Sequence, residues 1–147
     1  MQINTALFGP QEIQDDEIIT FPEGLPGLEN NTRFKVFHEQ GKPTVHWLQS
    51  VDDEGICLSV VEAQNIDLAY EVTMLDRDSQ LIDYQAGDEL IAFVILFKQN
   101  STNLEKESSQ TEIRANIMGP IIINTRTQKG YQASLSLVKM LTVIKDM

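Results

Sequence analysis

The chain holds a single cysteine, Cys57, among its 147 residues, so no internal disulfide can staple it, as expected of a protein kept in the cytoplasm. Basic residues are scarce: 11 Lys and Arg stand against 22 Asp and Glu, a formal net charge of −11. Nucleic-acid binding draws its affinity from Lys and Arg that displace counterions. No basic cluster here is denser than pairs such as Arg126 and Lys129, so a direct nucleic-acid partner is excluded. Long apolar runs are missing too. The longest, Leu90 to Phe97, is far too short to cross a bilayer, and no membrane role follows. The opening MQINTALFGP has neither the basic n-region nor the apolar h-region of a secretory signal.

Groupings that do chemistry are equally scarce. His38 and His46 are the only histidines, and they show neither i, i+4 spacing nor the neighbouring ligands of a zinc site. Cys57 opens an apolar stretch with no basic neighbour to lower its pKa, and reads as a small core residue. Asp52-Asp-Glu54 lacks the alternating oxygen ligands and closing glutamate of a calcium loop. In Gly24-Leu-Pro-Gly27 the proline removes a backbone donor where a phosphate cradle needs one, and no GK[ST] follows. No serine sits in a Gly-x-Ser-x-Gly elbow, and no nucleophile has a base and an orienting partner. The residues therefore point to no metal, no cofactor and no catalytic group.

Apolar residues at 41% and charged residues at 22% are ordinary for a globular chain, and the length suits one hydrophobic core. A single domain over residues 1–147 is expected. Short stretches rich in Val, Ile, Phe and Thr recur between turn signals, the pattern of all-β sandwiches and barrels. Strands are predicted near 2–6, 13–21, 33–38, 44–51, 56–63, 89–98, 113–118, 120–125 and 130–135. Phe34, Val36 and His38 alternate with Arg33, Lys35, Phe37 and Glu39, which gives one face more buried than the other. Ile91 to Phe97 is apolar on both faces and predicts a strand covered on both sides. Segment 64–88 fits either a strand from Leu68 to Leu75 or a helical turn from Ser79 to Tyr84. Residues 99–111 hold one aliphatic side chain in thirteen and predict a mobile loop. The tail 136–147 suits a short amphipathic helix or a closing strand.

Three segments stand out. Phe21-Pro-Glu-Gly-Leu-Pro-Gly-Leu-Glu29 packs Pro22, Gly24, Pro26 and Gly27 around three large apolar side chains, Phe21, Leu25 and Leu28. Two prolines reduce the freedom such a loop must lose, so it can plug one end of a barrel, present a binding surface, or do both. Trp47-Leu-Gln-Ser-Val-Asp-Asp53 runs a strand into an acidic hairpin tip. Asn116-Ile-Met-Gly-Pro-Ile-Ile-Ile-Asn124 is an apolar strand bounded by asparagines, with a Gly-Pro break at Pro120 that bends it or shifts its register. Gln49 and the asparagines could pair with loop backbone inside the fold or with a partner's backbone.

In order and spacing, these segments resemble the FliW family of flagellar assembly factors. Ile18 to Glu29 matches that family's isoleucine-rich strand and F-P-x-G-(L/I)-P-G-(F/L)-E loop, and Leu48 to Asp52 its L-Q-S-x-(D/E) strand end. Asn116 to Asn124 with Gly130-Tyr-Gln132 matches its third motif. The resemblance spans residues 2 to about 132. It departs at Arg114, Gly119 and Gly55, where the family favours threonine, alanine and proline, and the loop at 99–111 is longer than usual.

The resemblance implies a mainly antiparallel all-β fold, a small distorted β-barrel with at most one or two short helices. It also implies a non-enzymatic protein that binds the translational regulator CsrA, relieves repression of flagellin mRNA, and binds flagellin as a competing partner. The partner-binding residues are then expected at Phe21, Leu25 and Leu28 in the loop and at Gln49, Asp52 and Asp53 in the acidic hairpin. Pro22, Gly24, Pro26, Gly27, Trp47, Asn116, Pro120 and Asn124 would support them. The alternative is a β-barrel that binds a small molecule, or a weak enzyme, which a deep polar pocket would mark.

Overall fold

A computed structural model describes residues 1–39, 41–70, 74–101 and 110–134; the tail predicted over 136–147 and most of the loop predicted over 99–111 lie outside the described residues. The chain opens with a hairpin, β1 (Gln2–Thr5) and β2 (Gly9–Glu12). Seven strands then close a barrel in sequence order: β3 (Ile18–Thr20), β4 (Arg33–Glu39), β5 (Lys42–Ser50), β6 (Cys57–Glu62), β7 (Leu90–Ser101), β8 (Gln110–Asn124) and β9 (Lys129–Gln132). Neighbouring strands pair antiparallel except at the seam, where β3 and β9 lie parallel through Thr20 and Lys129. The Thr20 N–H donates to the Gln128 carbonyl at 2.9 Å there, and closure leaves the barrel without the free edges of an open sheet.

Period-two alternation sorts the walls. Phe34 and Val36 on β4, Leu48 on β5, Val60 on β6, Phe93 on β7 and Ile121 and Ile123 on β8 meet in the lumen. The alternate residues Val61 and Val94 pack outside against Leu68. Ile91 to Phe97 is thus covered on both faces through Val94, as predicted, but Phe97 itself is exposed. Outside the barrel the β1–β2 hairpin lays Phe8 on Phe37, with ring centroids 5.1 Å apart, and edge-on to Trp47 at 6.4 Å. The hairpin therefore caps the outer face of β4 and β5. The second of its strands, Gly-Pro-Gln-Glu, has no apolar alternation and was not predicted.

The other differences are local. Asp15–Glu17 form a 3-10 turn, so the strand expected over 13–21 shrinks to three residues. The strands expected at 113–118 and 120–125 are one strand, β8, bulged at the Gly-Pro step: Phe93 to Ile95 spans two residues of β7, while their partners Ile121 and Asn116 are five apart. A proline lacks the N–H that a ladder needs and is tolerated at such a bulge. The polar stretch 99–111 is shorter as a loop than expected, because Gln99, Asn100 and Ser101 pair with Glu112, Thr111 and Gln110. Segment 64–88 contains a 3-10 turn (Ala63–Ile66) and one short helix, α1 (Asp76–Leu81). That helix starts earlier than predicted, with Asp76 and Asp78 in its first turn, where carboxylates meet the positive end of the helix dipole.

Candidate partner-binding surface

One end of the barrel carries both the Pro-Gly loop and the acidic hairpin. The loop leaves β3 at Phe21, whose N–H donates to the Thr32 carbonyl at 2.7 Å, and folds as successive tight turns: Gly24 to Phe21 at 2.8 Å, Leu28 to Leu25 at 2.7 Å, Asn31 to Leu28 at 2.9 Å. Gly24 takes φ +70° there, and a Cβ on it would lie 2.6 Å from the Glu29 Cα. Glycine is required on both counts. The turns drive Phe21 and Leu25 into the lumen, where Phe21 meets Phe34 edge-on at 5.5 Å.

Phe21 and Leu25, expected among the partner contacts, are thus buried core residues, and the loop is a plug. Apolar burial places them there, since each gains more from the lumen than from solvent. Leu28 is half-buried against the same cluster. Pro22, Glu23, Pro26 and Glu29 are left on the surface.

The acidic hairpin is built from within. Gln49 is fully buried, and its amide nitrogen faces the carbonyls of Ser50, Asp53, Glu54 and Ile56 at 3.1 to 3.3 Å. It therefore organises the turn between β5 and β6, the internal role, and does not itself form a contact surface. The Ser50 hydroxyl donates to the Asn31 side chain at 2.7 Å and accepts from the Asp52 and Asp53 N–H groups, which ties loop and hairpin together. Asp52 and Asp53 are exposed. Asp52 pairs with Arg33, and the Asp53 carboxylate accepts from the Gly55 N–H at 3.0 Å.

Residues of the third motif pack along the barrel wall from this end to the other. Gly130 on β9 lies under the Phe21 ring: a Cβ there would come within 2.7 Å of Cε1 and 2.9 Å of the Ile122 carbonyl oxygen. Gly119 leaves room for the side chains of Gln132 and Asn116, which a Cβ would meet at 2.8 and 3.0 Å, and Gln132 Nε2 donates to the Gly119 carbonyl at 3.0 Å. Pro120 is buried at the bulge. Asn124 is fully buried and donates to the Ile82 carbonyl and the Asp88 carboxylate, both at 3.0 Å. Arg126 also binds Asp88, and with the Gln85 N–H it holds that carboxyl well below the usual carboxylate range. Trp47 lies on the outer wall beneath Phe8, away from this end. A cleft of about 310 Å³ runs between loop, α1 and β9, with Glu23, Pro26, Glu29, Arg77 and Gln132 on its walls.

The opposite end went unnoticed in the sequence. Continuing the inward face of β4 to β7 brings His38, His46 and Glu62 to the barrel mouth, residues that lie far apart along the chain. Only the alternation Phe34, Val36, His38 hinted at it. Elsewhere, Cys57 is half-buried and its thiol is pushed up to about 11 by burial, as befits a packing residue. No three His, Cys, Asp or Glu side chains among the described residues group to hold a metal ion. No described helix is long and apolar enough to cross a membrane.

Fold and surface together define a small closed β-barrel with one plugged, acid-tipped end. The chain matches the family model described as FliW protein over residues 2–143. It is 35% identical over 133 residues to the flagellar assembly factor FliW of Azoarcus sp. (strain BH72), covering 90% of this chain and 89% of that protein. It is 30% identical over 139 residues to that of Thermosipho africanus (strain TCF52B), covering 95% and 90%. A crystal structure of the flagellar assembly factor FliW superposes with a TM-score of 0.75 at 23% identity, over 93% of this chain and 90% of the other. The chain belongs to the FliW family of flagellar assembly factors.

Proposed function

We propose that this protein serves flagellar assembly in the cytoplasm without catalysing a reaction, by binding a CsrA-type RNA-binding regulator and so relieving repression of flagellin mRNA. Free flagellin competes for it, which couples synthesis of the filament protein to its export. The observation that carries this reading is the exposed acidic hairpin, Asp52 to Glu54, held rigid by buried Gln49 on a chain of net charge −11. A small basic regulator would be drawn to such a surface, and the RNA it carries would be repelled. A preformed surface also loses little conformational freedom on binding.

Within this reading Asp52 and Asp53 contact the partner. Leu28 and the exposed rim of the loop border them. Phe21, Leu25 and Gln49 act by holding loop and hairpin in shape. The test is a pull-down with the tagged chain as bait, with and without nuclease, followed by calorimetry with the purified regulator and with flagellin. Retention of the regulator irrespective of nuclease, and its release by added flagellin, support the proposal. A folded bait that retains neither protein refutes it.

A further inference from the structure

The barrel's open mouth has the make-up of a receptor for one positively charged side chain. Ile19, Val36, Ile91, Phe93 and Ile123 wall a cavity of about 310 Å³ there, and its polar members are His38, His46, Glu62, Thr125 and Gln128. His38 and His46 face each other across β4 and β5 with ring centroids 4.2 Å apart, and Phe93 backs His46 at 5.5 Å. His46 is 8% exposed, and its buried Nδ1 makes no well-formed hydrogen bond among the described residues, with the Thr44 backbone as its polar neighbour. Such an atom is costly to leave poorly met, while the His46 ring itself lines the mouth. Barrel mouths are a preferred place for such sites.

Three features set the occupant. The first is size: the volume lies at the bottom of the range for small-ligand sites, roughly 300–1,000 Å³, enough for one long side chain. The second is sign. Among the described residues, the titratable groups facing the cavity are His38 from β4, His46 from β5 and Glu62 from β6, while β3, β7 and β8 contribute apolar groups and the turn between β8 and β9 contributes Thr125 and Gln128. Glu62 is the only carboxylate there, and desolvation followed by the neighbouring His38 lowers the His46 pKa below its ordinary value, with Glu62 and the Thr44 backbone opposing. The third is shape: an apolar collar below a carboxylate suits an aliphatic stem that ends in a cation.

We propose that the mouth takes the lysine or arginine side chain of a basic protein partner, its stem against Ile19, Val36 and Phe93 and its charged head between Glu62 and the His46 ring. The identity of that partner as the CsrA-type regulator rests on the function proposed above; the cation site itself does not. Acidification below the ordinary histidine value places positive charge on His46 beside the entering cation, so occupancy falls as pH drops.

The test has two arms. In the first, n-butylguanidinium is titrated into the isotope-labelled full chain while the histidine ring resonances are followed, with n-butyrate as control. Saturable shifts of His46 and His38 with the cation alone, lost in Glu62→Gln, are expected. No shift, equal shifts with butyrate, or an unchanged response in Glu62→Gln would overturn the site. In the second arm, calorimetry with the purified regulator should show Glu62→Gln weakening association about tenfold, with an unchanged melting temperature. Equal affinity of both proteins for the regulator would sink the docking role and leave the functional reading intact. A regulator that ignores the wild-type chain, while the cation still saturates the mouth, would instead refute the functional reading.

Discussion

Single side chains in this protein carry roles that depend on what lies opposite them. Phe21 and Gly130 are one such pair, because the ring occupies the space a β9 side chain would need. Leu25 is 2% exposed, and Leu25→Ala is expected to cost about 2–5 kcal/mol through lost transfer energy and the cavity left behind. Urea denaturation measures it, and a loss below 1 kcal/mol would mean the loop is no plug. His46 gives a pH signature. Its folded-state pKa is lowered from 6.5, so the unfolded chain takes up the proton first, and stability declines as pH falls from above 6.5 through the folded value. His46→Phe should flatten that decline in melting temperature; an identical pH profile would remove His46 as its source. Of these roles, the sequence left Phe21 and Leu25 open between plug and contact, since apolar residues in a shaped loop suit both. The mouth was invisible, because residues at 19, 38, 46, 62 and 125 meet only when the barrel closes.

Elements tolerate change where backbone has room and fail where it does not. Gly27 takes φ +84° with open space around its missing Cβ, whereas Gly24 combines φ +70° with the Glu29 backbone at 2.6 Å. Gly27→Ala should therefore cost about 1–2 kcal/mol for the left-handed conformation alone, and Gly24→Ala clearly more, because backbone must move. Equal losses in chemical denaturation would contradict the loop geometry. At the far end of β8, Asn124 joins the strand to Ile82 and Asp88. Asn124→Ala leaves buried backbone and the Asp88 carboxylate short of a donor, a loss of about 1–3 kcal/mol, with the earliest gain in hydrogen exchange expected around residues 82–89. Uniform exchange across the molecule would argue against that local role. Alternation and punctuation made most strands legible, and the Gly-Pro step correctly announced a change of register. They missed β2, whose sequence lacks alternation because one large ring, Phe8, does its packing. They also placed α1 late, since a six-residue helix without a side-chain cap leaves little trace.

At the scale of the whole molecule, closure and charge act together. A closed barrel of seven strands offers a rigid frame, and an excess of 11 acidic residues surrounds it with a field that favours basic partners. Fold and family were both legible, because the first motif serves two demands at once: its glycines and prolines shape a turn, and its apolar residues fill a lumen. The surface proposed for a partner was less so, since exposed carboxylates are spread along the chain and only folding sets Asp52 and Asp53 beside the loop rim. The central claim is that a rigid acidic barrel recognises a basic protein through shape and field. Calorimetric titration of the full chain with the purified CsrA-type regulator, at low and at high salt, tests it most directly. A specific complex whose affinity falls steadily as ionic strength rises is the predicted result; no complex at low salt, or an affinity indifferent to salt, would contradict it.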